Sequence, residues 1–568
     1  MEPLLTLKDW QNGTGDSPHV GLGMLKNVEI DTLVGSARVG KLPITVFHTA
    51  YSQTFTADAS TNVCTAAGGT LGQTHTAVVL TTTGTLPAGL ATGTVYFIIK
   101  TAATTFKLAT TIANADAGTA IDITDVGSGV HTVATVNPGT IRHYSRDPRT
   151  STVFLMDSNG RAWFLEGGAT PAQLLHNSAI DSGSGALTNA AGQGLAVFRV
   201  SDGSATYLFA FRNALVDVIN VYGSSNLETP VWSNAWKSMN SGAGSGNSHH
   251  ARLGQDNIIY FCDDRYVGSI KENAGSVFDP ASAGTYTYNN QALDLPLGSL
   301  TYWLEELGVN LMISVSNDSY LYPWDRVSDS YGLPIPIGEY GGNKMKNIGN
   351  VLYVLAGTHG NIYTTQGTYC RLFKTLPQYL VYNTTTPASN PITWGGIEAA
   401  LGNLLVGVTS AGSGNSGVYM VTPDGRLTID NQPSSGNVGV TALFALSEFY
   451  HLGFAGGAEL LSTARYTSLG ADVDNPIVCL QSPFYRLGDN TGKATISDIE
   501  YQIAAAVSGS IRLSYRTKPS GAFTSITTWT TTSAASDSVD AGLTNIENIQ
   551  FQVELAGSID FMELRCYK

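Results

Sequence analysis

Between about residues 140 and 470 the chain repeats one local pattern, and that repeat limits the fold more than any other feature. Each unit is an apolar, β-branched run, a tight turn and a second run, and the units recur every 40–60 residues or so. The clearest is Thr152-Val153-Phe154-Leu155-Met156, the turn Asp157-Ser158-Asn159-Gly160, then Arg161-Ala162-Trp163-Phe164-Leu165. Asn159-Gly160 suits the positive φ angles of a primed hairpin turn. Residues 206–210 pair in this way with 215–219, 258–261 with 266–270, and 311–315 with 320–324. So do 351–355 with 361–364 and 404–408 with 417–421, while 422–427 adds a turn and strand and 442–466 a weaker unit. Most units read as an apolar inner strand followed by a strand carrying an aromatic. An inner strand apolar on both faces is what a propeller blade needs, because other blades pack on either side of it. Six or seven such units close a ring, so 140–470 is expected to be β-propeller-like. A pair of ordinary β-sandwiches is the alternative.

Composition agrees with an all-β chain. Charged residues make up 13% of the sequence, against about 25% in average globular domains. Hydrophobic residues reach 43%, enough to build cores, and the 62 glycines punctuate short strands. No sustained helical stripe appears outside short pieces such as 397–404. The net charge of −14 argues against an ordinary nucleic-acid binder, which carries a basic patch. It is compatible with a channel whose acidic wall lets DNA slide without sticking.

The flanks divide into three further parts. Residues 1–50 read as an extended arm with short strands, Val28 and Ile30 alternating with polar neighbours before a turn at Gly35-Ser36. Such a strand either closes a sheet or reaches a neighbour. Residues 52–136 read as an inserted small β-sandwich or barrel, rich in Thr and Ala, with strands at 77–80, 95–99, 105–108 and 130–133. Exposed turns tolerate insertions of this kind. Residues 475–568 read as a C-terminal β-sandwich of the jelly-roll or immunoglobulin-like kind, with strands at 476–480, 496–503, 510–516, 549–555 and 559–562. In the second, third and fourth of these strands alternate residues share an apolar face.

Reactive chemistry finds little purchase. Asp157, Asp263, Asp264, Asp318, Asp325 and Asp424 all fall at turns, where Asp normally bonds nearby backbone N–H groups. Glycoside hydrolysis would need two of them to converge across a sugar. Ser316-Asn317-Asp318-Ser319-Tyr320 has a faint likeness to the Asp-box turn of sialidases, a structural motif, and no arginine triad accompanies it. His249-His250 follow a Gly/Ser run without further ligands at metal spacing and read as a solvated loop. Cys64, Cys262, Cys370, Cys479 and Cys566 are scattered and signal neither zinc nor a disulfide framework. No nucleophile elbow, Walker loop or H-E-x-x-H occurs, and glycine-rich 411–415 lacks a following helix to cradle phosphate. Trp232, Trp236, Tyr286, Tyr288, Tyr331 and Tyr340 fall in expected loops, where aromatics contact a partner subunit, stack on sugars or cap the local core. No catalytic, cofactor or metal residue is therefore assigned. Met1-Glu2-Pro3-Leu4-Leu5 lacks the charged opening of a secretion signal, and no run of about 20 apolar residues predicts membrane insertion.

Two features resemble bacteriophage structural proteins. Phe55-Thr56-Ala57-Asp58, Thr81–Leu90 (Thr-Thr-Thr-Gly-Thr-Leu-Pro-Ala-Gly-Leu) and Ala120–Gly129 (Ala-Ile-Asp-Ile-Thr-Asp-Val-Gly-Ser-Gly) resemble a small module of phage virion proteins. The order of arm, propeller and further β-domains resembles the tail nozzle (tail hub) proteins of short-tailed phages. Lys26-Asn27-Val28-Glu29-Ile30 and Gly35-Ser36-Ala37-Arg38-Val39 are similar to the opening of such chains. This resemblance implies a non-enzymatic virion protein made in the host cytoplasm, forming a homo-oligomeric ring, a hexamer, in the tail. It implies partners at the portal, the adaptor and other tail proteins, with DNA passing through unbound. The rival expectation is a glycan-binding or glycan-cleaving propeller of a tail fibre or spike.

Overall fold

The computed structural model describes residues 3–7, 24–31, 36–47, 49–68, 72–166, 171–177, 193–212, 214–240, 249–377, 392–410, 415–434, 438–446, 449–474, 476–487, 493–519, 521–531 and 536–568. Strands dominate them. The described α-helices, Ile112–Asp116 and Ser224–Glu228, have five residues each.

Seven four-stranded antiparallel blades surround an axis. Blade 1 runs from innermost to outermost through Ile141–Arg146, Val153–Asp157, Arg161–Leu165 and Gln173–Asn177. Blades 2 to 5 repeat that order and begin at Gln193–Arg199, Ala251–Leu253, Thr301–Leu307 and Gly342–Ile348. Blade 6 comprises Thr393–Ala400, Asn403–Thr409, Gly417–Val421 and Leu427–Asn431. Blade 7 takes Val440–Leu446, Phe449–Phe454 and Gly457–Arg465 from late in the chain and its outermost strand, Lys41–Thr45, from the beginning. Ile44 pairs with Leu460 and Pro43 with Leu461, so backbone hydrogen bonds close the ring across the whole length of the propeller. Pro43 is tolerated because the strand is an edge.

The hairpins legible in the sequence are the second and third strands of their blades, not the innermost pair. The physical reason is solvent. A second strand lies between neighbouring blades and is buried on both faces, as in Val153–Asp157 and Ile259–Asp263, where all five residues are buried. An innermost strand turns one face to the axis, so it is mixed in polarity and escapes an apolar scan. The helical-looking piece at 397–404 is also corrected. It is the hairpin between the first two strands of blade 6, turning at Leu401 and Gly402 with φ of 49° and 78°. Apolar residues on two adjacent strands imitate a helical spacing there.

The insert is a closed six-stranded barrel built from Ser52–Asp58, Val63–Ala66, Ala77–Thr82, Val95–Lys100, Thr105–Ala109 and His131–Thr135. Phe55, Phe106, Leu80 and Ile98 fill it, and Ala77 and Val95 pack with Phe47, Trp163 and Leu155 against blade 1.

Two long bent strands organise the C-terminal sandwich. The expected pairs 496–503 with 510–516, and 549–555 with 559–562, are halves of single strands, Ala494–Arg516 and Asn548–Cys566. The bend falls where Gly509 faces Gly557, and a Cβ on Gly509 would meet the Ala556 carbonyl at 2.3 Å. The first half of Ala494–Arg516 pairs with Ser536–Ile546 and the second with Thr524–Thr531. Tyr501, Ile511, Trp529, Phe551 and Phe561 fill the core between. Met24–Lys26 lies between Cys479–Gln481 and blade 6, pairing with Leu427–Asn431 through Lys26 and Ile429. Blade 6 and part of the sandwich are thereby one continuous sheet. The described arm strands, including Val28–Asp31 and Ser36–Val39, all close sheets of this chain. Gly35, like residues 241–248 and 411–414, lies outside the described residues.

Candidate functional site

Successive side chains of a strand point to opposite faces, so each innermost strand offers the axis residues spaced by two. Blade 1 offers His143, turned toward His250 and Trp303 by a register shift at Arg142, with Arg142 and Tyr144 beside it; blade 3 offers His250 and Arg252, and blade 4 Trp303 and Glu305. Blade 5 offers Lys344 and Lys346, blade 6 Gly396 and Glu398, and blade 7 Ala442 and Phe444. Together they line a cavity of about 210 Å³.

The second residue of each pair is matched with its neighbour. Arg252 holds Glu305 at 2.7 Å, Lys346 holds Glu398, and Tyr144 stacks on Phe444 with centroids 6.0 Å apart. Glu306, on the other face of its strand, takes Arg326 and lies 3.4 Å from Arg252. The first residues are arranged differently. His250 stacks on Trp303 at 3.7 Å, and the Lys344 amine lies 5.3 Å from the same ring. The Leu304 amide donates to His250 Nδ1 at 3.1 Å, which assigns the proton of the neutral ring to Nε2. Trp303 Nε1 donates to the Met345 carbonyl at 2.9 Å. The Lys344 amine donates to the Gly395 carbonyl and, at 3.5 Å, to that of Thr441. Thr441 Oγ1 donates in turn to the Ile141 carbonyl at 2.6 Å. Blades 3, 4, 5, 6, 7 and 1 are thus stitched together around the axis.

Burial, and after it the Arg142 guanidinium, lowers the Lys344 amine to about 7. Burial first, then His143, Arg252, Lys344 and Lys346, holds His250 well below the usual histidine range, so the ring is neutral. Burial pushes the Tyr144 phenol up. The site therefore offers cationic and neutral donors to an acceptor-rich group.

Sequence reasoning placed none of this correctly. His249 and His250 are buried, 1% and 8% exposed, rather than a solvated loop, because they lead straight into the innermost strand of blade 3. Arg142, Trp303, Lys344 and Lys346 went unnoticed. The available signal was a short stretch with polar residues two apart ahead of each apolar hairpin. The turn aspartates are separate and locally engaged. Asp157 accepts from the amides of Gly139, Asn159 and Arg161 and from Trp163 Nε1, all within 3.1 Å. Asp263 takes the Asn240 amide, Asp318 those of Tyr320 and the Tyr322 hydroxyl, Asp325 those of Val327 and Ser328, and Asp424 pairs with Arg426. Asp264, with φ of 60°, shapes the turn beside Asp263.

The expected loop aromatics are mostly packed. Trp236, Tyr286 and Tyr288 sit in outermost strands of blades 2 and 3, Trp236 lying 4.9 Å from Tyr286. Trp232 donates to the Leu175 carbonyl, and Tyr331 packs edge-on against Tyr322 at 5.0 Å. Tyr340 is 69% exposed. A further cavity of about 420 Å³, with Lys26, Gln432 and Tyr466 in its wall, lies where blades 6 and 7 meet the sandwich. The five cysteines are free thiols, four of them buried, and no group of three or more His, Cys, Asp or Glu among the described residues could hold a metal ion.

These features define a seven-bladed β-propeller protein, closed by its N-terminal strand and carrying an inserted barrel and a C-terminal β-sandwich. No protein-family profile and no curated protein matches the chain. Among solved structures it is similar to YCF48 bound to D1 peptide, at 10% identity and a TM-score of 0.39, covering 59% of this chain and 95% of that one. It is similar to the β-propeller domain of Myceliophteria thermophila Cps50 (Swd1), at 10% identity and 0.38, covering 58% and 97%. It is also similar to the computationally designed Ika8 protein, at 10% identity and 0.33, covering 57% and 96%.

Proposed function

We propose that the chain is a structural subunit of a bacteriophage tail of the nozzle (hub) kind, assembling into a ring around the path of the ejected DNA. The observation that carries this reading is exposed apolar surface at one end of the blades. Val309 (75% exposed) and Leu401 (75%) lie in turns from the innermost to the second strand of blades 4 and 6. Val327 (89%) and Leu333 (88%) lie between the third and fourth strands of blade 4. Alternation of strand direction brings these connections to the same end. Large apolar side chains grouped in this way favour a covering partner. The continuous sheet from blade 6 into the sandwich supports a rigid brick, and the net charge of −14 supports a bore that repels DNA. No helix of the described residues is long and apolar enough to cross a membrane.

Native mass spectrometry at rising protein concentration tests the reading. A closed ring, six copies by the phage resemblance, is expected for the wild type and monomer for Val327→Glu with Leu333→Glu. A wild type that stays monomeric at every concentration, or a double variant that still forms the ring, would overturn it.

A further inference from the structure

We propose that the propeller axis binds a small doubly charged oxyanion of the phosphate or sulfate class between Arg142 and Lys344. The cavity holds four cationic side chains from three blades. Its acids are already engaged, Glu305 by Arg252 and Glu398 by Lys346, while Glu306 outside it takes Arg326. Among the described residues no carboxylate lies within ion-pair distance of Arg142 or Lys344. Arg142 lies where the register of its strand shifts, one residue before His143, which is the counterpart of Lys344, and Arg142 lines the same cavity as Lys344, whose amine feels its charge. Two like charges at one cavity, the Lys344 amine buried and Arg142 exposed, are unfavourable by themselves and favourable once an anion lies between them.

The neighbouring groups suit an oxyanion. Arg252 lines the cavity with its Nε buried and without a hydrogen-bond partner. The Trp303 face is covered by His250 and Lys344, which leaves no flat aromatic platform for a sugar ring. About 210 Å³ accommodates a free ion with a few waters, each taking about 30 Å³. It does not accommodate a polymer strand. The anion would join blades 1 and 5 across the axis, adding to the hydrogen bonds that already link Lys344 to blades 6 and 7.

Sulfate keeps a fixed charge between pH 6.5 and 8.5, so the pH dependence of its binding reports the protein. The groups facing Lys344 are Arg142 and His143 of blade 1, His250 and Arg252 of blade 3, Trp303 and Glu305 of blade 4, Lys346 of blade 5 and Glu398 of blade 6. Of these, the Lys344 amine is lowered to about 7 and must be protonated to hold the anion, and the pH series is run on His143→Asn, which takes the neighbouring imidazole out of the measurement. Calorimetric titration of the full chain with sodium sulfate, against sodium chloride at matched ionic strength, is expected to show one saturable site. Binding should be roughly 25-fold weaker at pH 8.5 than at 6.5. Arg142→Met should weaken it at both pH values, Arg142→Lys should largely restore it, and Lys344→Met should abolish the pH dependence, with unchanged circular dichroism in each case. Sulfate indistinguishable from chloride, or Arg142→Met binding like the wild type, would overturn the proposal.

Discussion

Replacing Gly395 with alanine tests how tightly the ring is drawn together. Gly395 lies on the innermost strand of blade 6 and does not need a positive φ, so the substitution adds volume without backbone strain. Its Cβ would fall 1.5 Å from the Val440 carbonyl oxygen and 2.6 Å from the carbonyl carbon, both on the innermost strand of blade 7. Real Cβ atoms essentially never come within 3.0 Å of such a neighbour, so the two strands must part by roughly 1.5 Å. Backbone faces backbone here, and no flexible side-chain end can yield. Overpacking of this kind costs about 2–3 kcal/mol, and each 1.4 kcal/mol or so is tenfold in an equilibrium. Hydrogen–deuterium exchange of the amides in Thr393–Ala400 and Val440–Leu446 should therefore accelerate about 30- to 150-fold. Gly402→Ala is the control. Its Cβ meets nothing within 4 Å, and the φ of 78° confines the cost, about 1 kcal/mol, to the turn. Unchanged exchange in both inner strands of Gly395→Ala would refute the close approach of blades 6 and 7.

Two further outcomes are expected. His451 is fully buried beside Tyr144 and Phe444, neither ring nitrogen has a partner, and burial lowers it from 6.5 to about 4. Below pH 6.5 the unfolded chain takes up a proton that the folded chain refuses, so propeller stability should fall by about 3 kcal/mol between pH 6.5 and 4. Thermal melts of His451→Phe should lack that acid limb, and an unchanged limb contradicts the assignment. Arg212 and Asp217 form a buried pair in blade 2, 1% and 0% exposed, and the carboxylate also accepts the Ala235 amide. Asp217→Asn leaves a guanidinium buried without its counter-charge, a loss of about 3–5 kcal/mol, whereas Arg212→Met with Asp217→Leu should recover most of it. Urea midpoints of the two variants check this, and a single variant as stable as the wild type defeats it.

What could be read from the residues followed burial. Val153–Asp157 and its counterparts are apolar on both faces because two blades enclose them, and a single sequence records that directly. Innermost strands record two environments at once. His143 faces the axis while Ile141 and Tyr144 pack into the core, the register shifts between Ile141 and His143, and no period of apolar residues survives. His250 was misjudged for the same reason, since a histidine stacked on Trp303 and a solvated one are the same letter. The bent strands of the sandwich were split where Gly509 and Gly557 interrupt the alternation, although the ladder continues through them. Thr524–Thr531 and Ser536–Ile546 went unseen because their Thr- and Ser-rich edges bury little.

Cryo-electron microscopy of purified phage particles carrying this protein tests the central claim most directly. The account predicts a ring of copies at the tail, the DNA path through its middle, and Val309, Val327, Leu333 and Leu401 covered by neighbouring protein. Density for the chain at the capsid or in a peripheral fibre, with those four side chains facing solvent, would contradict it.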